Sequence, residues 1–189
     1  MKKSILILTM ISVFGVFAEI CKAEKPLKQK PGVIHFDAAK LINIHKTYSV
    51  IEDDTAVSGS CVKQEVKHWT IGQGVGWGVG DLLKKALEKD VKYKLRVRIK
   101  VDKIGNKGEV FKIVYLHYYD PKSWRAKTCS KISFSAADVP NGKWKWYELP
   151  LALKYNETGR AQVVYVVTGN NPKNISAVYV DAFELIPEK

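Results

Sequence analysis

The segment from Tyr93 to Val101 constrains the fold of this chain more than any other stretch. Its sequence, YKLRVRIKV, alternates apolar and cationic residues without a break. Successive side chains of a β-strand point to opposite faces, so this alternation is typical of a strand with one face against a core. The four cations of the segment are therefore expected on the face away from the core: Lys94, Arg96, Arg98 and Lys100.

Other short segments extend the same pattern. Turn-forming residues at 103–109 (KIGNKGE) separate the first strand from a second one, predicted at Val110–Tyr119. A short helix is predicted at Asp81–Leu87, with Asp81 as its cap. Further strands, bounded by Gly, Pro, Asn or Asp, are predicted at Lys131–Ser135, Trp144–Leu149, Ala161–Thr168 and Ala177–Ile186. Many short strands with almost no helix predict an all-β protein, an antiparallel β-sandwich or jelly roll.

The N-terminal residues indicate export. Lys2 and Lys3 precede an apolar run, Ile5–Phe17, which is shorter than the roughly 20 residues of a membrane-spanning helix. We therefore expect a secreted, periplasmic or cell-envelope protein. Its predicted segments are a signal peptide at 1–23, a flexible lead-in at 24–32 and one domain at 33–189.

Charge and cysteine content limit the partners and the compartment. The net charge of +12 says more about partners than about the fold. In an exported protein it favours an anionic polysaccharide or envelope surface over nucleic acid. Cys21 lies in the predicted signal peptide, which leaves Cys61 and Cys129. Two cysteines in an exported domain predict a disulfide, with two separate buried thiols as the alternative.

The glycine-rich run at 72–80, GQGVGWGVG, resembles a phosphate-binding loop only superficially. A dinucleotide site needs a strand, a glycine turn and a long helix within a βαβ unit, whereas the surroundings here are β-rich. We interpret the run as a strand or strand-edge loop with one bare face, which lets a ring, a backbone or a ligand approach closely. Trp77 then either packs inward or stands at a sugar site.

The residue types present favour binding over catalysis. The four histidines lack metal-ligand spacing, and Ser58 lacks the flanking glycines of a nucleophile elbow. The chain is rich in Trp and Tyr, whose rings can stack on the apolar faces of sugars, while Arg can bind carboxylates with two parallel hydrogen bonds. The predicted polysaccharide-binding residues are Trp77, Arg96, Arg98, Tyr115, His117, Tyr119 and Trp124.

The order of several motifs resembles the jelly-roll carbohydrate-binding modules grouped around families four, nine and twenty-two, which share a galactose-binding-domain-like β-sandwich. The motifs are the small-residue turn at 56–60, VGDLLKKALEKDVKYKLRVRIKVD at 79–102, NGKWKWYELPLAL at 141–153 and ISAVYVDAFELIP at 175–187. The resemblance implies an exported, non-catalytic protein that binds polysaccharide, acidic if the cations take part. It also implies a structural calcium near Asp181, with a backbone-bonded Asp181 as the alternative.

Two other functions remain open from the sequence. An envelope adhesion module would use the sandwich as a scaffold for binding another protein. A small polysaccharide lyase would use Tyr119 or His117 to abstract a proton, with Arg96 or Arg98 neutralising the uronate.

Overall fold

The computed structural model describes residues 32–41, 48–65, 74–78, 88, 90–120, 125–154, 162–168 and 174–188. Ten strands and one short helix occur in these ranges. Their bounds are β1 (Ile34–Asp37), α1 (Ala38–Leu41), β2 (Tyr48–Glu52), β3 (Ser60–Glu65), β4 (Gly74–Gly78), β5 (Lys92–Lys103), β6 (Glu109–Asp120), β7 (Arg125–Ser135), β8 (Lys145–Lys154), β9 (Gln162–Thr168) and β10 (Ile175–Pro187).

The strands form two antiparallel sheets. In the six-stranded sheet the order is β2-β3-β10-β5-β8, and β1 pairs with the second half of β10. In the four-stranded sheet the order is β4-β9-β6-β7. The all-β sandwich predicted from the sequence is confirmed, and so are the strands predicted around Tyr93–Val101 and Val110–Tyr119.

The core lies between the two sheets. On β5 the inward residues Tyr93, Leu95, Val97, Ile99 and Val101 are at most 2% exposed. The four-stranded sheet contributes Phe111, Ile113, Tyr115 and Val166 to the same cluster. Apolar surface gains about 25 cal/mol per Å² when it leaves water, so this cluster is the main stabilising element of the fold. It holds the two sheets in the arrangement that fixes every surface described below.

The turn predicted at 103–109 is confirmed between β5 and β6. Gly108 has a φ of +85°, a conformation that favours glycine. A Cβ atom at this position would also lie 2.9 Å from Nδ2 of Asn174, so a larger residue would clash as well as strain the backbone.

In the described residues, a helix lies at Ala38–Leu41, where none is predicted. The helix predicted at Asp81–Leu87 falls outside the described residues. Within the described part of the chain, no helix is long and apolar enough to cross a membrane.

The predicted disulfide between Cys61 and Cys129 does not form in this structure, in which Cys61 is a free, buried thiol. The reason is topological. Cys61 lies on β3 and packs against Ala56, Ala177 and Tyr179, whereas Cys129 belongs to β7. Strand β3 contacts β4 and strand β7 contacts β8, which places β3 and β7 at opposite ends of the sandwich. Burial raises the pKa of the Cys61 thiol to about 11.

Candidate functional site

The residues predicted to bind polysaccharide fall on two different sheets. Arg96 and Arg98 lie on β5 of the six-stranded sheet, whereas Tyr115, His117 and Tyr119 lie on β6 of the four-stranded sheet. Trp77 is on β4 of that second sheet, opposite Val164. Trp124 lies outside the described residues, as do the side chains of Trp77, His117 and Tyr119. Among the described residues, the strands that carry the predicted aromatic residues therefore belong to a different sheet from the strand that carries Arg96 and Arg98.

Tyr115 belongs to the core. Its side chain is 5% exposed and packs in the cluster between the sheets. The alternation of β6 places Tyr115 on the same face as Phe111 and Ile113, both fully buried. This ring is not available as a stacking platform, which corrects its place among the predicted ligand contacts.

Arg96 and Arg98 lie on the outer face of the six-stranded sheet, as the alternation predicts. Here the outer face means the surface formed by Arg96, Arg98 and Lys100 of β5, Asp181 and Glu184 of β10, Trp146 of β8, and Trp144, which directly precedes β8. Arg96 donates from Nε to Oε2 of Glu184 at 2.7 Å, and its Nη2 contacts the same oxygen.

Arg98 forms an ion pair with Asp181, whose carboxylate also accepts hydrogen bonds from the backbone N–H of Val57. The Asp181 side chain has no exposed surface. Burial raises the pKa of Asp181, while the Val57 bond and the Arg98 guanidinium act in the opposite direction. Arg98 thus compensates a charge that would otherwise be buried alone, a state that costs several kcal/mol.

Asp181 does not fit a calcium site. Its oxygens accept from Val57 and Arg98, and a guanidinium in direct contact repels a second cation. Calcium needs six to eight oxygen ligands, and no group of three or more His, Cys, Asp or Glu side chains that could hold a metal occurs in the described ranges. The alternative of a backbone-bonded Asp181 agrees with the contacts.

Lys100 ties the loop between β2 and β3 to the sheet. Its Nζ contacts Asp53, which also accepts from the backbone N–H of Thr55 at 2.9 Å. Burial alone would raise the pKa of Asp53, but its bonds with Lys100 and Thr55 lower the pKa to about 2. Arg98 adds a bond to the carbonyl oxygen of Thr55. The loop at 53–59 is therefore fixed across one end of the outer face.

Two tryptophans complete the outer face. Trp146 lies directly opposite Arg98 in the pairing of β5 with β8, and the Cζ atom of Arg96 lies 4.5 Å from its ring centroid. The Trp144 ring has Arg98 at 5.1 Å and Lys100 at 4.7 Å from its centroid. It also donates from Nε1 to Oγ1 of Thr55 at 2.8 Å.

Trp144 and Trp146 are not among the binding residues predicted from the sequence. The signal was present in the alternating KWKW at 143–146. Since Trp146 and Trp144 are two residues apart, a strand pattern predicts that they share a face. Which face they share depends on the pairing with β5, which the sequence does not provide.

The comparisons with known proteins support the fold. No protein-family model matches the chain, and no curated protein matches it. Among solved structures, the CBM22-2 xylan-binding domain of Paenibacillus barcinonensis Xyn10C is similar, with a TM-score of 0.53 and 13% identity over 82% of this chain and 99% of that one.

Two Bacillus thuringiensis toxins contain a similar part. They are the mosquito-larvicidal Cry4Aa, with a TM-score of 0.50 and 10% identity, and the insecticidal delta-endotoxin Cry8Ea1, with a TM-score of 0.51 and 13% identity. Each covers 83% of this chain, which spans only 24% of either toxin. At these identities the likeness concerns architecture, and one fold can serve several functions. The chain shares a β-sandwich fold with the xylan-binding domain and with a part of each toxin, and the resemblance of its motifs predicts this fold.

Proposed function

We propose that this chain is an exported, non-catalytic protein that binds polysaccharide on the outer face of its six-stranded sheet. The observation that carries the proposal is the pair of partly exposed tryptophans, Trp144 and Trp146, held among guanidinium and carboxylate groups. Tryptophan offers a large apolar surface, and the surrounding charged groups supply hydrogen bonds for hydroxyls. The similarity in fold to a xylan-binding domain supports the same class of ligand.

Trp146 is the better platform of the two. Two cations lie near the ring of Trp144, and its indole N–H is engaged by Thr55 of the loop at 53–59. In the described part of the chain, Trp146 has one cation, Arg96, near its ring, and it lies on the edge strand β8. We therefore assign the stacking contact to Trp146, and the support of the loop to Trp144.

The charge of the polysaccharide is the finer part of the proposal. The net charge of +12 favours an acidic ligand, and we propose one on that basis. On the outer face itself, Arg96, Arg98 and Lys100 each already contact a carboxylate. An acidic preference would therefore come from the long-range field of the protein and would weaken with added salt.

A lyase reaction gains no support from this geometry. The proposed base, Tyr119 or His117, is on β6, in the sheet on the other side of the core from the outer face that carries Arg96 and Arg98. The two halves of such a site are therefore separated by the hydrophobic core. Export is proposed from the sequence alone, since residues 1–23 lie outside the described ranges.

Affinity gel electrophoresis tests the proposal, with soluble xylan as the neutral probe and polygalacturonate as the acidic one. We expect retardation of the wild-type protein and a loss of affinity of about tenfold or more in Trp146→Ala, since buried aromatic anchors carry much of a binding energy. Trp146→Tyr should retain part of the affinity because a ring remains.

The control is Ile104→Ala, which truncates a side chain that is 66% exposed, lies in the turn after β5 and is not one of the residues that define the outer face. Circular dichroism would verify that each variant is folded. A folded Trp146→Ala variant with wild-type retardation would contradict the assigned surface. Absence of retardation by any glycan would contradict the function itself.

A further inference from the structure

His35 lies between two carboxylates on the six-stranded sheet. Its Nδ1 is 3.2 Å from Oε1 of Glu184, and its Nε2 is 3.1 Å from Oδ1 of Asp37. The imidazole is 8% exposed, so water does not replace these partners. A neutral imidazole has one N–H donor and one lone pair, whereas the protonated ring donates from both nitrogens. Only the protonated ring can satisfy both carboxylates at once.

The charged groups around His35 connect it with neighbouring elements. On one side, Asp37 also contacts Lys40 of α1 at 3.0 Å. On the other side, Glu184 of β10 accepts from Arg96 of β5 through its second oxygen, Oε2. Asp181 with its partner Arg98 forms the next ion pair along β10 and β5.

These residues form one row across the sheet. His35 lies opposite Glu184, Glu184 lies opposite Arg96, and Arg96 lies opposite Glu148 of β8. Directly opposite side chains in antiparallel strands are close enough to fix one another. Arg96 also lies 4.5 Å from the ring of Trp146. The position of the proposed stacking platform is thus linked to His35 through Glu184 and Arg96.

We propose that the proton on His35 regulates polysaccharide binding at Trp146, and this inference rests on the function proposed above. With the proton, His35 holds one oxygen of Glu184 while Arg96 holds the other, and Arg96 is fixed beside Trp146. Without it, one ring nitrogen turns a lone pair towards a carboxylate oxygen, and the contact becomes repulsive. In the tautomer that keeps its hydrogen on Nε2 for Asp37, the lone pair is on Nδ1, so Glu184 loses a donor and Arg96 is held less firmly. Binding is therefore stronger in mild acid and weakens as the pH rises.

Calorimetry on the full chain between about pH 5 and pH 8, the range in which histidine commonly changes charge, tests the inference at constant ionic strength. The probes are again soluble xylan and polygalacturonate. We expect the affinity of the wild-type protein to fall about fivefold across this range, at the lower end of ordinary couplings between sites. In His35→Gln, which cannot change charge, the affinity should stay constant.

The control variant is Lys63→Gln, which alters a solvent-facing ion pair with Glu65 on the neighbouring strand β3 and should keep the wild-type pH profile. In the wild-type protein, the Nε–Hε signal of Arg96 in NMR spectra should shift together with the ring nitrogens of His35. This measurement does not require that the variant folds.

The outcomes separate the two proposals. Binding with a flat pH profile, a His35→Gln variant with the wild-type slope, or an Arg96 signal that does not change together with the ring nitrogens of His35 would overturn the regulation and leave the binding function intact. Absence of binding to both probes at every pH would overturn the binding function, and with it the regulation.

Discussion

On the inner face of β5, Leu95, Val97 and Ile99 are fully buried and contact other apolar side chains. On the outer face of the same strand, Arg96, Arg98 and Lys100 each contact a carboxylate that lies far away in the sequence, on β10 or in the loop after β2. The inner face depends on apolar character and volume, so similar side chains can replace one another. The outer face depends on ion pairs between particular residues, so a cation there cannot be replaced without leaving its carboxylate unpaired.

The largest expected effect comes from breaking one pair on the outer face. Arg98→Met should lower the free energy of unfolding by about 3 to 5 kcal/mol, because it leaves the buried carboxylate of Asp181 without its cation. Urea denaturation at neutral pH measures the change. Adding Asp181→Asn should restore part of the loss, since the buried charge is then removed too.

Lys94→Met is the matched control on the same face of the same strand. Lys94 is 51% exposed, and its Nζ lies 3.9 Å from Glu188. Ion pairs of this exposed kind contribute about 0 to 1 kcal/mol. If both variants lost the same stability, the distinction between buried and exposed cations on β5 would be wrong.

A somewhat smaller effect is expected on the inner face. Leu95→Ala should cost about 3 kcal/mol, from lost apolar burial and the cavity that remains. Leu95→Met, which nearly conserves volume, should cost less than about 1.5 kcal/mol. Equilibrium denaturation of the two variants tests whether volume alone governs this face. A Met variant as unstable as the Ala variant would show that it does not.

The two faces also differ in how far the sequence predicted them. The alternation at Tyr93–Val101 is a local pattern, and it correctly gave the strand and the orientation of its cations. The partners of these cations depend on which distant strand lies beside β5. Strand β10 also changes register between Val180 and Ala182. Such a bulge inserts an extra residue into the alternation, so that the positions of Asp181 and Glu184 could not be obtained from period two alone.

The candidate site shows the same limit. The sequence predicts the residue types of the proposed surface, Trp and Arg, but it combines Arg96 and Arg98 with aromatic residues of the opposite sheet. Tyr115, His117 and Tyr119 follow one another at every second position and are therefore expected on one face of a strand, whereas the fold directs Tyr115 into the core. Sheet order and register decide which residues share a surface. Both arise from contacts between segments far apart in the chain.

The smallest effect we predict concerns acid and the loop at 53–59. The pKa of Asp53 is about 2 in the folded protein, below its ordinary value of 3.8. A carboxyl with a lowered folded-state pKa stabilises the fold above its ordinary value and loses this contribution as the pH falls towards the lowered one. Asp53→Asn should therefore cost about 1 to 2 kcal/mol at neutral pH, and the difference from the wild-type protein should shrink between about pH 4 and pH 2.

Urea denaturation of the wild-type protein and of Asp53→Asn at several pH values measures this convergence. The control is Asp54→Asn, which changes the exposed neighbouring residue. Asp53 is held by Lys100, and Lys100 also lies 4.7 Å from the ring centroid of Trp144. Loss of the pair should therefore also change the near-ultraviolet circular dichroism of the tryptophans over the same pH range. A constant difference in stability between wild type and Asp53→Asn down to pH 2 would mean that Lys100 does not hold the loop through charge. The outer face at this end would then depend on the packing of Ala56, Cys61 and Tyr179, as the inner face does.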